Sequence, residues 1–329
     1  MKVSVIIPTY NRLGQLRRVL EGLEKQSYPR DGFEVLIISD GSTDGTEDYL
    51  RVASPSFHLR AFSQPNQGAA AARNLGITQA TEEIVLFIDD DVFPFPDLIA
   101  EHLHSHETLG NYAVVIGPML APPDFQLSPW VRWEADQLAE QYRDMSDGRW
   151  SPTARQFYTG NTSIARHHLV ESGGFDPAFR RAEDVELAYR LANRGLKFFF
   201  NPRAAGYLYA ARSFAAWLST PYDYGRNDVV FSRQKGQAWL LPAVLREYLG
   251  RHTQIHALVS ICLSQPILSK TFLTVSKQIV LLGEKFPLGP ISSLACSSMF
   301  NLRYYEGIAD GLGGRQAFFR AVDKAGLAA

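Results

Sequence analysis

The stretch "IVLFIDDDV", residues 84–92, sets the apolar run Ile84–Ile88 directly before Asp89, Asp90 and Asp91. A run this short and this apolar reads as a buried strand of a sheet covered on both faces. Its carboxyl end then carries three like charges, which raise one another's pKa values unless a cation or hydrogen-bond donors compensate. The rest of the chain says what else arrives at that strand end.

Upstream, "VSVII", "FEVLIIS" and "HLRAFS" alternate with helical patterns over about residues 13–26, from about residue 43, and through "GAAAARNLGITQA". This alternation predicts an α/β fold, a Rossmann-like, mostly parallel sheet flanked by helices. Ligands of such sheets bind beyond the carboxyl ends of the strands. There "PTYNR" follows the first strand, "SDGSTDGT" the second, "QPNQG" the third and "DDD" the fourth, so four strand ends point at one site.

Downstream come a strand in "YAVVIGP", a loop across residues 122–152 holding a helix over about 130–143, a strand in "GNTSIAR" and another in "LKFFFNP". Between the last two, Glu183 and Asp184 open a helix that Gly195 closes. From residue 212 the pattern is helical and basic, with breaks expected at Pro221, Pro242, Pro266, Pro287 and Pro290. The expected division is residues 1–211 and 212–329.

Net charge is −1 over 329 residues, which removes the polyanion-binding signature, so no nucleic-acid partner is expected. That balance hides 13 Lys and Arg against 7 Asp and Glu in residues 212–329. Cys262 and Cys296 stand far apart in no metal-binding or disulfide pattern, which fits a reducing cytoplasm. The first apolar run is too short for a signal peptide, and residues 253–269 and 286–302 are too interrupted for a membrane span.

The three aspartates offer the hard oxygen ligands that Mg²⁺ or Mn²⁺ prefer, ions usually shared with a substrate phosphate. Asp40 sits at a strand end where it can accept from a base or ribose, while Ser42 or Thr43 caps the next helix and Gly41 and Gly45 make the turn. Arg73 supplies a cationic fork. His102, His104 and His106 read as a solvated helix rather than a metal site, and the sequon at Asn161 is discounted in a chain without a leader.

Taken in order, "SVIIPTYNR", "VLIISDGSTDGT", "NQGAAAARNLGI", "VLFIDDDV", "GNTSIAR", "GGFDPAF" and "AEDVELAYRL" resemble the family 2 glycosyltransferases, whose catalytic domain has the GT-A fold. The match runs over about residues 2–210. The resemblance implies inverting transfer of a sugar from a nucleotide-diphosphate donor, a UDP-sugar favoured, to a sugar, lipid-linked or other hydroxyl acceptor, with Mg²⁺ or Mn²⁺ on the diphosphate. Carried over by motif, Thr9, Tyr10, Asn11, Asp40, Arg73, Asp89 and Asp90 bind the nucleotide and Asp91 the metal. Asp184 is similar to the family's general base, with Glu183 on the acceptor side. The histidine that many relatives carry after the next strand is missing from residues 206–212, which offer Tyr207 and Tyr209 instead.

Two other classes fit the same motifs: a non-catalytic nucleotide-sugar-binding subunit and a nucleotidyltransferase. The basic tail is expected either to rest on an anionic membrane at its inner, cytoplasmic face or to form a helical bundle.

Overall fold

The structure is a computed structural model that describes residues 2–286 and 289–327, so the break expected at Pro287 lies outside the described residues. By its internal packing the chain divides into two units: Met1–Gln126 with Ala135–Ala210, and Leu127–Glu134 with Ala211–Ala329. The segment Leu127–Glu134, which spans the start of the predicted helix, observed as Pro129–Ser146, thus groups with the tail rather than with its neighbours in sequence.

The first unit holds strands β1 (Val3–Thr9), β2 (Phe33–Ser39), β3 (His58–Ser63), β4 (Ile84–Ile88), β5 (Val92–Pro94), β6 (Ala113–Ile116), β7 (Met119–Leu120), β8 (Asn161–Ala165), β9 (Lys197–Phe200) and β10 (Gly206–Leu208). Seven of them form one sheet in the order β3-β2-β1-β4-β8-β6-β9. β1 pairs in parallel with both β2 and β4, so successive connections leave it in opposite directions. Strand order reverses there, which opens a crevice at the carboxyl ends of β1 and β4.

β4 is buried along its whole length, as its unbroken apolar run requires, and β2 is too, its one charge Glu34 taken up by Ser4, Arg60 and Thr81, whereas the edge strand β3 is half-exposed. Ile7, Ile37, Leu86 and Ile88 share a core with Leu16, Leu20 and Leu23, on one face of the helix Leu13–Glu24. The ladder continues past the strands: Asp40 N–H donates to Thr9 O at 2.9 Å and Gln64 N–H to Ser39 O at 3.0 Å. The polar strand ends are therefore held in register.

β8 runs antiparallel to both neighbours, the one reversed strand in an otherwise parallel sheet. It changes the reading of the histidine helix. His102 and His106, on Leu98–Leu109, are buried rather than solvated. Ser163 Oγ lies 2.8 Å from both His102 Nδ1 and His106 Nε2, and His102 Nε2 lies 2.9 Å from Asn161 Oδ1. Burial pushes the two imidazoles down to about 3 and about 4, so both stay neutral. Asn161 is fully buried, its amide donating to Pro118 O and Ala204 O.

A small second sheet, β5-β10-β7, begins straight after the aspartates. β10 is antiparallel to β5 and parallel to β7. Tyr209 N–H donates to Asp91 O at 2.9 Å, so this sheet fixes the backbone of the acidic motif.

The second unit is helical: Phe214–Gln234, Leu240–Leu249, Thr253–Cys262, Pro266–Gly283, Gly289–Leu312 and Arg315–Leu327. Pro221 does not break its helix as expected; Trp217, Thr220, Pro221 and Gly225 are all buried within it. Two glycines explain the tolerance. A Cβ on Gly225 would lie 2.1 Å from Tyr304 O, and one on Gly307 2.0 Å from Tyr222 O, so the first and fifth helices pack backbone to backbone. That packing outweighs the missing proline donor. Pro242 falls in the first turn of its helix, Pro266 begins one and Pro290 is second in another, positions that accept proline. No helix among the described residues is long and apolar enough to cross a membrane.

Candidate active site

Thr9, the last residue of β1, donates its hydroxyl to Asp90 Oδ2 at 2.7 Å. Asn11 adopts left-handed backbone (φ 52°), and its side chain accepts from Thr43 N–H at 2.7 Å, tying the loops after β1 and β2 together. The next helix, Thr46–Val52, is not capped by Ser42 or Thr43. Its N-cap is Gly45, and Asp44 just before it accepts from the hydroxyl and N–H of Thr46 and also from Leu13 N–H. Gly41 and Gly45 do make the turn, both with positive φ. Tyr10 is half-exposed over this rim.

Asp40 is buried and fastens the next loop: its carboxylate accepts from Gln64 Nε2 (2.7 Å), Gln67 N–H (2.9 Å) and Gly68 N–H (2.8 Å). The strand ends bearing Thr9, Asp40 and Asp90 thus border one crevice.

Arg73, on the helix Ala69–Gln79, is the central cation. Its guanidinium donates to Asp89 Oδ1 at 2.7 Å and to Glu183 Oε1 at 2.9 Å. It is buried, and its Nε has no partner among the described residues. One side chain therefore brings together acidic motifs that lie almost a hundred residues apart in the chain. Ala182, at φ 60°, precedes Glu183 and starts the helix Glu183–Asn193. Left-handed backbone costs a residue with a Cβ about 1–2 kcal/mol, and such strain collects where geometry is functionally constrained.

The sequence reading passed over a second cation. Arg12 Nη1 lies 2.9 Å from Asp90 Oδ1 and 3.0 Å from Asp91 Oδ2. Its signal was present in "PTYNR", a basic residue just past a strand end, but nothing in the sequence says which way its side chain turns.

Even so, carboxylate charge exceeds guanidinium charge. Asp91 is pushed up to about 7, first by burial and then by Asp89. Asp184 is likewise raised to about 7, by burial and by Glu183 beside it. Asp184 takes a hydrogen bond from its neighbour's backbone, Val185 N–H, at 2.8 Å. Each motif thus carries one carboxyl that burial and a neighbouring like charge make reluctant to ionise.

No group of three or more His, Cys, Asp or Glu among the described residues forms a metal cage. The donor set still fits a hard divalent ion shared with a phosphate. Asp91 offers carboxylate oxygens in surplus negative charge, and such ions commonly take one or two carboxylates plus substrate oxygens. Residues 206–212 do reach this place through Tyr209, whose N–H donates to Asp91 O at 2.9 Å while its hydroxyl turns to Asp124.

The fold is that of GT-A glycosyltransferases. Its likenesses include the mannosyltransferase PcManGT of Pyrobaculum calidifontis, solved with GDP-Man and Mn²⁺ (TM-score 0.55, 20% identity, 99% of this chain and 80% of that one). Residues 1–349 of S. aureus TarS, solved with UDP-GlcNAc, give TM-score 0.59 at 19% identity over 92% and 90% of the two chains.

Residues 4–174 match the family described as glycosyl transferase family 2, and the chain belongs to that family. Glycosyltransferase AglE of Haloferax volcanii is 39% identical over 247 residues, 74% of this chain and 75% of AglE. Validoxylamine A glucosyltransferase of Streptomyces hygroscopicus subsp. jinggangensis is 30% identical over 223 residues, 59% of this chain and 52% of that protein. The chain spans about half the length of the validoxylamine A glucosyltransferases it matches.

Proposed function

We propose that the chain is an inverting glycosyltransferase that moves a sugar from a nucleotide-diphosphate donor to an acceptor hydroxyl, in polysaccharide, glycolipid or related glycoconjugate synthesis. The observation that carries this reading is the Arg73 bridge, which sets the strand-end aspartates and the Glu183–Asp184 pair on either side of one guanidinium. Inversion needs the acceptor oxygen to attack from the face opposite the leaving diphosphate. A carboxylate on the acceptor side must then take its proton. Asp184, raised to about 7, is matched to that task, with Glu183 beside it.

Thr9, Tyr10, Asn11, Asp40, Arg73, Asp89 and Asp90 line the nucleotide side. Asp91 would hold Mg²⁺ or Mn²⁺, whose chemistry is to neutralise charge developing on the leaving diphosphate. The ligands of the structural neighbours, GDP-Man with Mn²⁺ and UDP-GlcNAc, support a nucleotide-diphosphate donor, and a UDP-sugar is favoured. Calorimetric titration with UDP, GDP, dTDP and CDP, each with Mn²⁺ and with EDTA, tests this. One nucleotide is expected to bind the wild type with Mn²⁺, and Asp91→Ala to weaken that binding about tenfold or more. Equal affinity with and without Mn²⁺ in both proteins would refute the metal assignment.

The helical unit supports a peripheral place on the cytoplasmic face of an anionic membrane, where a lipid-linked acceptor lies. On Pro266–Gly283, Ile267, Leu268, Val275 and Leu282 are exposed, and the helix carries Lys270 and Lys277 but no acid. Apolar side chains flanked by lysines suit a lipid interface. The wild type should sediment with phosphatidylglycerol vesicles, and Ile267→Glu with Val275→Glu should abolish this. Wild-type protein left in the supernatant would remove the membrane from the reading.

A further inference from the structure

We propose that Arg12 is the resident counter-ion of the acidic cluster: its guanidinium holds the cation's place on Asp90 and Asp91 until the donor arrives, then passes to the donor's diphosphate. This rests on the proposed glycosyl transfer.

The two arginines of the site differ in their freedom. Arg73 is 5% exposed and bonded to a carboxylate at each end, so its removal would strand buried charge. Arg12 has a side chain 47% exposed and reaches both aspartates through a single nitrogen, Nη1. Asp90 and Asp91 are only 6% and 15% exposed, so the open guanidinium is the member of each pair that an incoming ligand can reach and draw away. The backbone beneath it is fixed, because Asn11 is tied to both Ser42 and Thr43, and Leu13 N–H donates to Asp44. Movement at Arg12 is therefore movement of its side chain.

Exchange is also required. A divalent ion sits about 2.0–2.1 Å from a carboxylate oxygen if it is Mg²⁺. Arg12 Nη1 already lies 3.0 Å from Asp91 Oδ2, so an ion on that oxygen meets a like charge within a few ångströms. The arriving diphosphate offers what the guanidinium gives up, since its paired oxygens match the planar fork.

The test is Mn²⁺ binding to donor-free protein, followed by electron paramagnetic resonance, in the wild type, Arg12→Ala and Arg12→Lys. Arg12→Ala should bind Mn²⁺ about tenfold or more tightly than the wild type, with Arg12→Lys close to wild type. In a second arm, nucleoside diphosphate affinity in saturating Mn²⁺ should fall about tenfold in Arg12→Ala, while nucleoside monophosphate affinity holds. Equal Mn²⁺ affinity in all three proteins overturns the counter-ion role, and an unchanged diphosphate affinity overturns the hand-over. If the wild type binds no nucleoside diphosphate even with Mn²⁺, the transferase reading and the hand-over fall together, while the Mn²⁺ arm still decides the counter-ion.

Discussion

Asp184→Asn should lower turnover by about 10²- to 10⁴-fold while leaving donor affinity nearly unchanged, since a general base acts on the acceptor's proton and not on the nucleotide. The amide keeps the shape and loses the basicity. A pH profile gives the same residue a second signature. Burial and Glu183 hold the Asp184 carboxyl at about 7, so it is protonated and inactive as a base below that value and ionised above it. The turnover of the wild type should therefore climb as pH rises through about 7 and level off beyond. In saturating Mn²⁺, which favours ionised Asp91, the asparagine variant should lack that rise. Turnover within a few-fold of wild type in Asp184→Asn, or a wild-type profile flat through neutrality, would transfer the role to another group.

Arg73→Met should be the most destabilising single change at the site. The methionine fills much of the space but leaves Asp89 and Glu183 with no cation between them. Removing one partner of a buried ion pair costs about 3–5 kcal/mol. Asp89, whose side chain is 36% exposed, keeps some solvent screening, so the lower end of that range, about 3 kcal/mol, is expected in urea unfolding. Arg73→Lys keeps the charge but reaches one carboxylate instead of two, so its loss should fall between. A midpoint for Arg73→Met equal to that of the wild type would mean that the bridge does not hold the motifs together.

The parallel half of the sheet was legible because β1, β2 and β4 are short apolar runs that end in polar clusters, and such runs admit few other readings. The acidic motifs were legible for the same reason: like charges stacked at a strand end demand a partner. Which partner was not. Arg12 is one basic residue among many in the sequence, and Arg73, though legible as a cationic fork, carries no sign of which carboxylates it holds; only the fold turns them toward the aspartates.

The insertion of β8 between β4 and β6 was equally hidden, since a run such as "NTSIA" reads the same in either direction. With it went the burial of His102 and His106, whose partners lie about sixty residues away. The strands β5, β7 and β10 are two or three residues long, too short for any alternation to show. Asp44, not Ser42 or Thr43, accepts from the first N–H of the helix at Thr46, and its carboxylate also serves Leu13 N–H at the start of another helix, a tertiary reward that local preference does not contain.

The clasp at Asp40 has a bearing on how a nucleotide would be met. A carboxylate has about four acceptor positions, and three here already hold Gln64, Gln67 and Gly68 in place. That edge of the crevice is built before any ligand comes. Loops that must fold around a ligand lose affinity to the entropy of their own ordering. Here the ordering has been done by the protein's own folding, so a nucleotide bound at this edge would meet a preformed template instead of ordering a loop around itself.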